Sequence, residues 1–131
     1  MTRFSIRTLL LAGVLAHGAT AAWAAGDHAH AHGHQPLHGG VVVEAKDMDY
    51  ELVARADRLQ LYLRDHGKPM PVTGASARLV LLTGADKQEV ALAPAGDRLE
   101  AAGTFRIAKG TKVVAQVQMA GKASSARFVL P

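Results

Sequence analysis

Five of the seven histidines of this chain lie in one short segment. The first four alternate with alanine or glycine, and the fifth follows a Pro-Leu pair; the set is His28, His30, His32, His34 and His38. Imidazole is the commonest protein ligand for metals such as zinc, copper and nickel. Residues two apart in an extended chain share a face about 6.8 Å apart, and small spacers let such a chain curl several imidazoles onto one ion. The segment predicts binding of a divalent transition metal (Zn, Cu, Ni or Co).

His38 differs from the other four because it adjoins Gly39-Gly40 and the first predicted strand. Metal-bound histidines usually need a carboxylate for orientation, and acidic side chains follow between positions 44 and 51. Glu51 is the acid we expect at this site, as a ligand or as an orienting group. The alternative is that these acids cap turns and solvate a strand edge.

His66 stands alone in a turn rich in glycine and proline, directly after Asp65. It is included as a further candidate metal ligand. The alternative for an isolated histidine in a turn is that water solvates it.

The methionines after the first residue are far apart in the sequence, at Met48, Met70 and Met119, and the chain has no cysteine. The sequence therefore predicts no soft ligand set that would select Cu(I), and it assigns Met119 to the core.

Enzyme signatures are missing from the sequence. It contains no Gly-x-Ser-x-Gly motif, no Gly-rich phosphate loop and no His-Glu-x-x-His motif. We predict that the protein is not an enzyme and has no catalytic residues. A copper redox enzyme is a further alternative, but the His-x-His units lie outside any predicted strand, so no rigid open site is implied.

Residues 1–24 have the pattern of a secretory signal peptide. Arg3 and Arg7 precede a short apolar run, and Ala22-Trp23-Ala24 fits the cleavage site. The apolar run is about half of the roughly 20 residues that span a bilayer, so we predict cleavage, a periplasmic location and no stable membrane anchor afterwards. An N-terminal membrane anchor is the alternative.

The charge does not predict a nucleic-acid partner. The formal net charge is +4, loss of Arg3 and Arg7 would lower it by two, and the remaining basic residues are interspersed with acids.

Residues 25–40 have little to bury and are predicted to form a disordered, His-rich metal-binding tail. Residues 41–131 contain short alternating runs between turn residues, which predicts an all-β domain, a small immunoglobulin-like antiparallel β-sandwich. A short helix is the alternative for 75–82 and 85–93. The predicted strands are 41–45, 50–55, 58–64, 76–82, 89–92, 99–102, 104–108, 112–119 and 124–130.

Several of these segments resemble a known family. The residues concerned are His38-Gly39-Gly40, Tyr50-Glu51-Leu52, Leu61-Tyr62-Leu63, Asp65, Gly67-Lys68-Pro69 and Ala126-Arg127-Phe128-Val129-Leu130. They are similar to the His-rich N-terminal metal-binding region of periplasmic adaptor subunits from heavy-metal RND efflux pumps of the cobalt-zinc-cadmium branch, over about residues 34–130. The resemblance implies a small periplasmic β-sandwich that captures divalent metal near His38 and Glu51 and passes it to an efflux adaptor or pump.

The chain departs from that family in its architecture. Such adaptors continue into a lipoyl-like domain, a helical hairpin and further β-barrel domains, which this sequence lacks, so the bridging role of an adaptor is not implied. The alternative function is that of an immunoglobulin-like interaction module that docks on an efflux complex, with the histidines incidental.

Overall fold

A computed structural model describes residues 34–131 of the chain. The predicted signal peptide and the predicted ligands His28, His30 and His32 lie outside the described residues. From residue 34 onward the chain contains nine strands and no helix, so no helix of this part is long and apolar enough to cross a membrane.

The strands are β1 Val41–Ala45, β2 Met48–Arg55, β3 Arg58–Asp65, β4 Lys68–Pro69, β5 Ser76–Thr83, β6 Asp86–Ala95, β7 Arg98–Ala102, β8 Lys112–Met119 and β9 Lys122–Val129. Every pairing between them is antiparallel, and the strand order is β1-β2-β3-β7-β6-β5-β8-β9 with β4 paired to β3.

The longest strand, β6, joins the two layers of the fold. Its first part, up to Leu92, pairs with β5, and its last three residues pair with β7. One layer therefore contains β1 to β4 and β7, and the other contains β5, β8 and β9. Because β1 also approaches β9, the sandwich is nearly closed into a barrel. The prediction of an all-β antiparallel fold is confirmed.

The core lies between the two layers. The inward positions of β3 (Leu59, Leu61 and Leu63) and those of β8 (Val113, Ala115 and Val117) are almost completely buried, as the period-2 alternation predicts. Each buried leucine contributes roughly 1.5–3 kcal/mol of hydrophobic free energy relative to an exposed one.

Three hairpins close with two-residue turns in which both central residues have positive φ. This is the backbone of a type I′ turn, whose twist matches that of the flanking strands. The turn residues are Lys46-Asp47, His66-Gly67 and Ala120-Gly121.

Some local predictions are wrong. Residues 104–108 form no strand, because Phe105 N–H donates instead to the carbonyl of Ala56, in the turn between β2 and β3. The helix alternative fails as well, since 76–83 and 86–95 are both strands, and Leu79 and Leu81 in the first of them are completely buried. The two-residue strand Lys68–Pro69 was not predicted.

Candidate metal-binding site

Residues 34–40 lie across the outer face of β2, on the side away from the core. The backbone N–H groups of Leu37, His38 and Gly40 donate hydrogen bonds of 3.0, 2.7 and 3.1 Å to the carboxylate of Glu51. The end of the His-rich segment is therefore fixed to the folded domain by one buried acid.

This covering segment explains why polar side chains are buried on an outward face. Asp49, Glu51 and Arg64 have 4%, 0% and 3% exposure, although the alternation of β3 predicts that Arg64 faces solvent. Arg64 donates to the backbone carbonyl of Gln35 at 2.9 Å and lies 3.5 Å from Glu51. The buried carboxylate is thus paired with a buried cation, as a charge removed from water requires.

The His38 ring is held from two sides. Its Nδ1 lies 3.0 Å from Oε2 of Glu51, and the ring stacks on Tyr62 with a centroid separation of 3.5 Å and an interplanar angle of 6°. The His38 side chain is still 35% exposed. Its orientation is therefore fixed while one edge stays open to solvent.

The protonation of Glu51 decides which His38 nitrogen is free. Burial alone would raise the pKa of Glu51, but hydrogen bonds from the His38 side chain and from the backbone of His38, Gly40 and Leu37 outweigh it and lower this pKa. An ionised carboxylate only accepts hydrogen bonds, so Nδ1 of His38 must be the donor. In the neutral imidazole, this leaves the lone pair on Nε2.

Two glycines allow the segment to come so close to β2. Gly39 has φ of +76°, in the left-handed region that glycine adopts without strain. A Cβ on Gly40 would lie 2.4 Å from the carbonyl oxygen of Leu52, closer than any side chain allows. The close approach of this segment to β2 therefore requires glycine at positions 39 and 40.

His34 occupies a second position on the same face. Its Nδ1 lies 2.7 Å from Asp49 and its Nε2 lies 3.1 Å from Glu44. The hydrogen bond to Asp49 is the main cause of the raised pKa of His34. Both nitrogens point at carboxylates, so metal binding through Nε2 would require Glu44 to give up its contact.

The predicted ligands are only partly brought together. His34, His38 and Glu51 lie on one face of the sheet, whereas His66 is 81% exposed, contacts Asp65 at 2.6 Å and shares no hydrogen bond with those three. Between residues 34 and 131, no group of three or more His, Asp or Glu side chains is placed to hold a metal ion.

Three residues that shape this site had no role assigned to them from the sequence: Asp49, Tyr62 and Arg64. Asp49 and Glu51 alternate with the core residue Tyr50, which places both acids on one face of β2. Two acids in the middle of one strand, paired with Arg64 and Tyr62 on the next, are the sequence feature that could have indicated a segment covering this face.

No family model and no curated protein matches the chain. A solved structure titled "Crystal structure of Br derivative BhCBM56" matches over 67% of this chain and 97% of that chain, with 8% identity and a TM-score of 0.40.

Proposed function

We propose that the protein is a periplasmic divalent transition-metal binding protein that captures zinc, copper, nickel or cobalt for buffering or for delivery to heavy-metal efflux. His38 is the fixed ligand on the domain, and the histidines that precede it supply the others.

The arrangement of His38 carries this proposal. A metal-bound histidine usually donates its other ring N–H to a carboxylate, which fixes the ring and makes the ligating nitrogen more basic. His38 has this partner in Glu51, at 3.0 Å, and Tyr62 restrains the plane of its ring. Glu51 itself is occupied by several hydrogen bonds and suits the orienting role better than that of a ligand.

One imidazole is not enough for a stable site, because zinc takes about four ligands. His32, His30 and His28 precede His38 by six, eight and ten residues. At roughly 3.3–3.6 Å per extended residue, these stretches are long enough to fold back onto an ion at His38. The proposed capture thus combines one positioned imidazole with a chain of further ligands.

Calorimetric titration of residues 25–131, the chain without its predicted signal peptide, with Zn(II), Ni(II), Cu(II) and Co(II) at neutral pH tests the proposal. His38→Ala should weaken binding more than His66→Ala, which serves as the matched control. Glu51→Gln should weaken it by about 10–100-fold, the usual cost of losing an orienting partner. Absence of binding by the unaltered chain, or equal affinity in His38→Ala, would falsify the proposal.

Delivery to an efflux complex is a separate part of the proposal and is supported by the family resemblance. Deletion of residues 26–33 removes three histidines but keeps the contacts of residues 35–40 with Glu51 and Arg64. If the protein delivers metal, this deletion should lower both its metal affinity and the transfer of metal to a purified RND adaptor. If adaptor binding survives without metal and without these residues, the interaction-module alternative is correct.

A further inference from the structure

Three methionines meet around one cleft at an end of the sandwich. Met48, Met70 and Met119 all line it, and they are the only methionines of the chain apart from Met1. The cleft has a volume of about 580 Å³ and lies where three hairpin turns come together; these contribute Lys46, Asp47, His66 and Ala120 to its wall.

The topology explains how residues so distant in sequence come together. Met48 is the first residue of β2 and pairs with Asp65, whereas Met119 is the last residue of β8 and pairs with Lys122. Met70 follows β4, and its N–H donates to the carbonyl of Leu63 at 2.9 Å. Strand ends from both layers therefore place the three methionines at the same rim.

The three methionines are supported from below. All three methionines are half-buried and pack against the hydrophobic core. Tyr50, 1% exposed, donates a 2.8 Å hydrogen bond to Ser124 on β9, and its hydroxyl lies 4.0 Å from the sulfur of Met48. This contact joins β2 to β9 at the floor of the cleft.

The chemistry of the cleft differs from that of the His38 site. Thioether sulfur is a soft, neutral ligand that favours Cu(I) over borderline divalent ions. The charged side chains on the wall balance, since Lys46 and Lys122 are offset by Asp47 and Asp65, so a monovalent cation meets no net repulsion. His66 adds an imidazole at the rim.

We infer that this cleft is a second metal site, in which the thioethers of Met48, Met70 and Met119 bind a soft monovalent ion of the Cu(I) or Ag(I) type. His38, Glu51 and Tyr62 are not among the residues that line the cleft. The site is therefore independent of the proposed divalent site, and either can fail without the other.

Methyl NMR of the full chain labelled with ¹³C-methyl methionine tests this inference, with Ag(I) as the probe because it is diamagnetic and stable to air. The experiment is run at about pH 5.5, one unit below the usual imidazole pKa of about 6.5, so that histidines compete less for the ion. The signals of Met48, Met70 and Met119, assigned from single Met→Leu variants, should shift together and saturate at one equivalent. Unmoved signals, or signals that shift at different equivalents, would overturn the inference.

The triple variant M48L/M70L/M119L supplies the second readout. Leucine has a similar volume, and proteins tolerate volume-conserving swaps of this kind best, so the fold should persist. The variant should lose Ag(I) binding at the lower pH and keep the zinc affinity of the unaltered chain at neutral pH. His38→Ala, the matched control, should keep Ag(I) binding. If the triple variant binds Ag(I) as tightly as the unaltered chain, the site does not exist.

Discussion

His38 engages both carboxylate oxygens of Glu51. Its backbone N–H donates to Oε1 at 2.7 Å, and its ring Nδ1 donates to Oε2 at 3.0 Å. Because Glu51 is fully buried in the middle of β2, these two bonds fix both the path of the preceding segment and the direction of the imidazole. The position of the candidate ligand is therefore coupled to the stability of the sheet.

Replacement of Glu51 should destabilise the domain. Glu51→Gln removes a buried charge that accepts three backbone N–H groups and faces Arg64, and breaking a buried ion pair costs about 3–5 kcal/mol. Urea unfolding followed by circular dichroism measures the change. Glu89→Gln is the control: Glu89 contacts Arg78 and Lys87 on the surface, where an ion pair contributes less than about 1 kcal/mol. Equal effects of both substitutions would contradict the anchoring role of Glu51.

Gly40→Ala should displace residues 34–40 from the sheet. The added Cβ would meet the carbonyl oxygen of Leu52 at 2.4 Å, and backbone atoms cannot move aside as a flexible side chain can. We expect a loss of about 1–3 kcal/mol in the free energy of unfolding, typical of overpacking, together with weaker zinc binding. Gly103→Ala is the matched control, because its Cβ would meet only the ring of Phe105, at 3.1 Å. A Gly40→Ala variant as stable as Gly103→Ala would argue against the close approach.

Protonation of Glu51 at acidic pH should lower the free energy of unfolding of the metal-free protein. The hydrogen bonds from His38, Gly40 and Leu37 overcome the cost of burial and lower the pKa of Glu51 below its ordinary value of 4.5. The unfolded state therefore takes up this proton first as the pH falls, so the stabilisation is complete above 4.5 and is lost as the pH falls through the lowered pKa. Unfolding free energies measured between neutral and acidic pH should fall less steeply in Glu51→Gln than in the unaltered protein.

In the metal-free protein, the pKa of His34 should be higher than that of an ordinary histidine. The hydrogen bond to Asp49 raises its pKa above 6.5, so the pair contributes stability below 6.5 and loses it as the pH rises through the raised value. NMR titration of the histidine ring protons measures this pKa. Asp49→Asn should return it toward 6.5, whereas Asp97→Asn, at an exposed aspartate paired with Arg98, should leave it unchanged. A His34 pKa that does not respond to Asp49→Asn would refute the pairing.

Tyr62 should affect metal binding through the plane of the His38 ring. Tyr62→Leu removes the stacked ring, whose contact is worth about 0.5–1.5 kcal/mol beyond its buried area, and zinc affinity should fall by a similar free energy. Tyr62→Phe keeps the ring and should bind zinc like the unaltered protein. Calorimetry on the two variants separates stacking from any role of the hydroxyl; a loss in Tyr62→Phe equal to that in Tyr62→Leu would show that stacking is not the cause.

The amphipathic strands could be predicted because their signal is local. Leu59, Leu61 and Leu63 alternate with polar residues, and the strands 41–45 and 112–119 have the predicted bounds. The strand predicted at 104–108 was wrong because local composition does not show whether a partner strand lies beside it; Phe105 instead bonds to the turn at Ala56. Metal binding by His28, His30, His32, His34, His38, Glu51 and His66, the periplasmic location and the efflux partner remain predictions.

By itself, the sequence determined an all-β domain of alternating strands, and it marked the histidines, Gly39-Gly40 and Glu51 as a candidate site. Only the tertiary structure decided that residues 34–40 cover the outer face of β2, which buries Glu51 and turns His38 against Tyr62. It also brought Met48, Met70 and Met119 around one cleft. The physical reason is the same in both cases: strand pairing and turns set which distant residues become neighbours, and no pattern within a single segment contains that information.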